Sequence, residues 1–225
     1  MKPKPPKDIN IGTVHESNKF GLFEVVNYSG SARVYVQFIS TGFIKKTTVQ
    51  NIRRGAVRDP FTPSVFGVGF VGVGCYVTKA KKERTKSYQV WHGMFERCYS
   101  PSYQERFPSY VGCTVRSDWH NYQSFAKWFD ENYPVNEDDL NRIELDKDIK
   151  IEGNKEYSKD ACMFVSRREN TIKARAKNYS FISPTGERVD VYNLSEFCRD
   201  RGLTRKCMCG VNSGERNTHK GWTKA

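Results

Sequence analysis

The stretch "LDKDIKIEGNKEYSKDACMFVSRREN", residues 145–170, decides how the chain is read. Begun two residues earlier, "IELDKDI" alternates apolar and polar positions with the period of a half-buried strand. "EGNKEYSKD" is a turn-rich loop and "ACMFVS" a second strand. "RRENTIKARA" then starts a helix, with Ser166 suited to the N-cap and Glu169 three positions on to close a capping box. Strand, loop, strand and helix place Asp146 at the end of the first strand and Asn170 on the helix, where the two can face each other. A carboxylate and an amide are hard oxygen donors that suit one Mg²⁺ or Mn²⁺. An ion held there can polarise a phosphodiester and stabilise the oxygen that leaves. What the stretch lacks is a base to activate water. Lys147 occupies the position beside Asp146 where one is wanted, and a lysine serves only when desolvation lowers its pKa. Asp148 and His120 are the other candidates to assist.

The rest of the chain is arranged around this centre. Residues 1–90 carry 15 Lys and Arg against 5 Asp and Glu, residues 91–166 carry 9 against 14, and residues 167–225 carry 13 against 6. The formal net charge of +12 is thus two basic ends flanking an acidic middle. Lysine and arginine grip phosphates with release of counterions, while central carboxylates hold a cation over one phosphodiester. Double-stranded DNA is the expected partner, with RNA as the other possibility. Solubility alone is the plainer explanation of basic charge. No run approaches the roughly 18 apolar residues of a membrane span, and "MKPKPPKDIN" has no apolar stretch behind it, so a cytoplasmic monomer with no membrane contact is expected. The seven cysteines form no CxxC pair, and the spacing suits structural zinc poorly. Small half-buried thiols are expected instead.

The fold class expected is α+β, in small modules. Residues 1–10 read as a disordered tail. Residues 11–77 read as a β-rich DNA-binding module in which residues 20–52 form a β-meander of three short strands with one basic face, Arg33, Lys45, Lys46, Arg53, Arg54 and Arg58. "GVGFVGVG" (67–74) contains GxGxxG outside any strand–turn–helix unit, so its glycines are expected to mark a close backbone crossing rather than a nucleotide site. Residues 78–89, with Lys81, Lys82 and Arg84, read as a basic linker that is either merely solvated or an arm touching phosphates. Two aromatic-rich helices follow, "YQVWHGMFERCYS" and "DWHNYQSFAKWFDENY", whose stripes are expected to be core. Residues 90–178 make the central domain, with Arg167, Arg168, Lys173 and Arg175 on the closing helix. Residues 179–225 read as a hairpin around Pro184-Thr185-Gly186 and a helix-turn-helix-like pair. The first helix of that pair is capped by Asn193 or Ser195 and ends at Gly202, and the second ends near Gly210. Arg199, Arg201, Arg205, Lys206 and Arg216 point outward, and Lys220 follows.

Residues 91–170 resemble the HNH (ββα-metal) endonucleases of bacteriophages and mobile introns. The resemblance rests on Trp91-His92-Gly93-Met94, Arg97-Cys98-Tyr99, Trp119, Leu145-Asp146-Lys147-Asp148-Ile149, Gly153-Asn154-Lys155, Tyr157-Ser158, Cys162 and Glu169-Asn170, in that order. The C-terminal "NLSEFCRDRGL" and "HKGW" are similar to the small DNA-binding repeat attached to homing endonucleases. The resemblance implies a phage-encoded enzyme that hydrolyses DNA with one divalent ion on Asp146 and Asn170. It also shows two departures: the family's first histidine falls on Lys147 and its middle asparagine on Ala161. A scaffold that binds DNA or RNA without cutting is the alternative.

Overall fold

The computed structural model describes residues 3–134 and 143–225, excepting the side chains at 174 and 175. In chain order it contains β1 (Val14–Ser17), β2 (Gly21–Tyr28), β3 (Val34–Phe38), β4 (Ile44–Thr47), α1 (Val49–Arg53), β5 (Lys79–Ala80) and β6 (Glu83–Arg84). Then come α2 (Lys86–Tyr99), α3 (Pro101–Arg106), β7 (Thr114–Val115), α4 (Tyr122–Asn132), β8 (Ile143–Asp146), β9 (Glu156–Tyr157), β10 (Met163–Ser166) and α5 (Arg167–Arg175). The chain ends with β11 (Tyr179–Ile182), β12 (Arg188–Val191), α6 (Leu194–Asp200), α7 (Arg205–Ser213) and β13 (Thr223–Lys224). Helix and sheet are mixed along the chain, so the α+β class stands. Two compact units result, one of residues 1–133 with 150–163, the other of 134–149 with 164–225. The expected central domain therefore contributes to both.

The first unit opens on an antiparallel meander in the order β1-β2-β3-β4. Phe23, Val25, Val34, Val36 and Phe38 alternate inward and pack with Val49 and Ile52 of α1. The meander has four strands rather than three, and "VQNIR" is a helix rather than a strand. Thr48 decides this: its hydroxyl accepts from the Asn51 N–H as an N-cap. Residues 3–10 are not a free tail, because Ile9 is fully buried in this core and Asp8 pairs with Arg53. Beyond the meander, α2 and α4 bury Trp91, Met94, Phe95, Tyr122 and Phe125. The second aromatic helix begins at Tyr122, four residues later than its first aspartate suggests, because Asn121 caps it. β7 and β9 pair in parallel, and Arg97 Nε donates to the Tyr157 hydroxyl at 3.0 Å. Burial pushes the Tyr157 phenol far above its ordinary value.

The glycines of "GVGFVGVG" do mark a close crossing. Phe70 exchanges backbone hydrogen bonds with His120 and Tyr122 at 2.9 Å each. A Cβ on Gly69 would lie 3.0 Å from the Trp91 and Phe95 rings, and one on Gly72 would run into the Asn121 side chain. Gln123 fastens the segment that follows by accepting from the Tyr76 N–H and donating to the Val71 and Tyr76 carbonyls. A matched pair of variants tests this. Gly72 and Gly112 have nearly the same backbone angle, φ +70° and +76°, but nothing lies within 4 Å of a Cβ on Gly112. Gly112→Ala should lose about 1–2 kcal/mol from the left-handed backbone alone. Gly72→Ala should lose roughly 1–3 kcal/mol more from overpacking. Equal shifts in their urea midpoints would refute the close approach.

In the second unit, β8 pairs with β10 and α5 follows β10 without a linker. The C-terminal part packs β11, β12 and β13 against α6 and α7 around Phe181, Leu194, Phe197, Met208, Val211 and Trp222. α6 is capped by Asn193. α7 runs through Gly210 to Ser213 and stops at Gly214 (φ +84°), a left-handed cap that a helix end requires more strongly than a mid-helix glycine forbids continuation. Among the described residues no helix is long and apolar enough to cross a membrane.

Candidate functional site

The unit of β8, β10 and α5 is set by local chemistry. Ser166 ends β10 and caps α5: its Oγ accepts from the Glu169 N–H at 3.1 Å, while Glu169 Oε2 accepts from the Ser166 N–H at 2.9 Å. The bond from the Ser166 N–H, with a second from the Ser166 hydroxyl to Oε2 at 2.8 Å, holds the Glu169 carboxyl below its usual value. This box fixes where α5 starts, and hence which of its residues look at β8.

Arg167, Asn170 and Lys173 follow one another at three-residue spacing on that face, and Arg167 pairs with Glu144 Oε1 at 3.7 Å. Asn170 Nδ2 donates to Glu144 Oε2 at 2.8 Å, and Lys173 Nζ donates to the Asp148 carbonyl at 2.8 Å. Asp146 lies between these two anchors, two residues from each. In a strand, residues two apart share a face, so Asp146 is on the Glu144 side of β8 that α5 covers. Its Oδ1 accepts from the backbone N–H groups of Asp148 and Ile149, at 2.7 Å each. Oδ2 of Asp146 and Oδ1 of Asn170 carry no hydrogen bond among the described residues. One carboxylate oxygen and one amide oxygen fit a hard divalent ion that keeps most of its water. Among the described residues no three His, Cys, Asp or Glu side chains gather to enclose an ion.

The bases proposed from sequence are placed differently. The Lys147 side chain is 7% exposed and its Nζ donates to Asp148 Oδ1 at 2.6 Å. The bond ties the Lys147 side chain to the carboxylate that follows it in sequence. His120 belongs to the first unit, where its Nε2 is 2.9 Å from the Val115 carbonyl and its ring meets Phe95 edge-on. In the second unit His219 accepts from the Thr204 N–H within the C-terminal part. Ala161, at the position of the family's middle asparagine, is buried and bonded through its N–H to Ser158 Oγ. Cys98, Cys113 and Cys162 are buried thiols.

The expected phosphate-gripping cations fall into two groups. Several are engaged: Arg53 forks onto Asp8, whose carboxyl it holds low, and Lys45 donates to the Arg58 carbonyl, with burial pushing its amine down. Arg168 reaches Glu196 at 3.5 Å, Arg201 stacks 4.3 Å over Phe197, and Lys220 bonds the Gly202 carbonyl. Arg33, Lys46, Arg54, Arg199, Arg205 and Lys206 are exposed. The side chain of Arg175 lies outside the described residues. Sequence reasoning missed Glu144, although the alternation of "IELD" places it beside Asp146. It also missed a cleft of about 670 Å³ where Lys177 and Tyr179 join Arg167, Arg168, Arg199 and Arg205.

No family model matches the chain, and no curated protein matches it. Among solved structures it is similar to that described as "DNA binding and cleavage by the HNH homing endonuclease I-HmuI", at 20% identity, over 45% of this chain and 64% of that one, with a TM-score of 0.21. The match spans less than two thirds of that protein, and an overlap of this score assigns no role to any residue here.

Proposed function

We propose that the chain is an HNH-type, phage-like DNA endonuclease that grips duplex DNA with basic flanks and hydrolyses one phosphodiester at a single Mg²⁺ or Mn²⁺. The observation that carries this reading is the bracketing of Asp146 by Asn170–Glu144 and Lys173–Asp148 on one face of a ββα unit. Asp146 Oδ2 and Asn170 Oδ1 would hold the ion, which when bound polarises the phosphate and stabilises the leaving 3′ oxygen. The chain's own contribution is orientation. Backbone N–H groups fix one oxygen of Asp146, and Glu144 turns the Asn170 amide so that its oxygen is free. Lys147 and Lys173 add positive charge beside the phosphate position. A second reading, DNA binding without cleavage, is favoured by one feature: the ammonium of Lys147 is locked onto Asp148 where the resembling enzymes have their base.

Supercoiled plasmid incubated with Mg²⁺ or Mn²⁺ is expected to accumulate nicked circles, and EDTA to prevent them. Retention of plasmid in a gel-shift assay with no nicking in either metal would overturn the first reading and leave the second.

A further inference from the structure

Residues 78–86, which read from sequence as a linker, form an anchored arm. Lys79 pairs with Arg84 and Ala80 with Glu83 in an antiparallel ribbon, turned by Lys81 and Lys82 at φ +48° and +73°. The base of the ribbon is tied down four times. The Val77 carbonyl accepts from the hydroxyls of Thr85 (3.0 Å) and Tyr122 (3.1 Å), the Thr78 carbonyl from the Thr85 N–H (3.1 Å), and the Arg84 carbonyl from Gln89 Nε2 (3.0 Å). Thr85 and Gln89 belong to the start of α2 and Tyr122 to α4, so the arm is rooted in the helical core of its own unit.

Two features of the ribbon work against it in isolation. Lys79 and Arg84 are directly opposite, a like-charged cross-strand pair that destabilises a sheet. A two-residue turn with both residues left-handed calls for Asn or Gly, and lysine there is strained. Among the described residues no ion pair involves a cation of the arm, and Lys79, Lys81, Lys82, Arg84 and Lys86 are all exposed. The first turn of α2 holds no acidic residue and begins with Lys86, so the positive end of the helix adds to the same field. A polyanion relieves the repulsion that the free ribbon carries.

We infer that this ribbon is a groove-entering arm for duplex DNA, with Lys81 and Lys82 at its tip and Lys79 and Arg84 on opposite edges reaching the two phosphate walls. The dimensions suit it: paired strands are about 4.8 Å apart, and the major groove, about 12 Å wide, admits a two-stranded ribbon. The inference rests on the DNA-binding half of the function proposed above and not on cleavage.

The test is fluorescence anisotropy of the full chain with a short labelled duplex, in EDTA, over a series of KCl concentrations. Each phosphate contact contributes about 0.9 to the slope of log K against log salt. Lys79→Ala/Lys81→Ala/Lys82→Ala/Arg84→Ala should therefore flatten the slope by about 3 to 4 and weaken binding at least about tenfold. Lys81→Asn/Lys82→Gly supplies the turn residues the conformation prefers, so its melting temperature should hold or rise while the slope falls by about 2. An unchanged slope in both variants would overturn the inference, as would tighter binding of single strands or duplex RNA than of duplex DNA by the unmodified chain. The two proposals fail separately. DNA binding with no nicking removes the cleavage reading alone, whereas metal-dependent nicking with unaltered binding by the arm variants removes the arm alone.

Discussion

Lys147→His should raise Mg²⁺-dependent nicking of duplex DNA by about 10²–10⁴-fold, the usual contribution of a well-placed general base. The position is prepared for an imidazole. It directly follows Asp146, its side chain is almost fully covered, and Asp148 Oδ1 already accepts from the residue there at 2.6 Å. That carboxylate can take one ring N–H of a histidine and so set the tautomer that leaves the other nitrogen a lone pair. Lys147→Met, an unbranched apolar replacement, separates the two roles the lysine can have. If Lys147 is the native base, the methionine variant loses the nicking that the unmodified chain shows. If Lys147 is only an ion-pair partner, the rate is unchanged, because Asp148 is half exposed and returns to water at a cost of about 0–1 kcal/mol. Asp146→Ala in the histidine background should return nicking to the level seen in EDTA. A histidine variant no faster than the unmodified chain would mean that position 147 is not where the reaction needs a base.

How much of this was written in the sequence depends on the range of each interaction. The helix start at Ser166 was legible because its capping box is complete within four residues. The placement of Asp146 at the end of β8 and of Asn170 on α5 was legible from the same local order of strand, loop, strand and helix. Asn121 and Thr48 also act locally, each as a cap beside a run whose aromatic or β-branched residues suit a different element. The arm was legible only as one of two readings of a charge run, and its ribbon was not, because its turn is Lys-Lys and no turn signal announces a conformation that lysine rarely adopts. Ile9 is a single apolar residue in a polar run, and only the tertiary fit of the meander shows that it is core. The fates of Lys147 and His120 could not be read at all. Whether a lysine is a base or an ion-pair partner depends on where one neighbouring carboxylate points. What the His120 ring meets, the Val115 carbonyl and the Phe95 edge, is set by tertiary packing. Arg97 and Tyr157 are 60 positions apart, and no periodicity links them.

The largest expected loss of stability is at Trp91. Its side chain is fully buried, its Nε1 donates to the Trp119 carbonyl at 2.8 Å, and its ring lies 4.8 Å from Phe95, 5.5 Å from Tyr122 and 5.7 Å from Tyr88. Gly69 crosses against the same ring. Trp91→Ala should cost about 3–5 kcal/mol, a large share of the 5–15 kcal/mol that stabilises most domains. Part of that is the void, and part is the Trp119 carbonyl left without its donor. Trp91→Phe keeps most of the ring and loses the donor, so it should cost roughly 1–3 kcal/mol. Urea midpoints at constant m-value read both, and a Trp91→Ala loss under about 1 kcal/mol would contradict the packing described. The consequence reaches the DNA-binding arm. Tyr122 packs on Trp91 and also donates its hydroxyl to the Val77 carbonyl at the arm's base. Trp91→Ala should therefore flatten the salt dependence of DNA binding at temperatures where the unit is still folded, although the tryptophan itself is fully buried and reaches no phosphate. Trp91→Phe should leave that slope unchanged, since a phenyl ring still supports Tyr122.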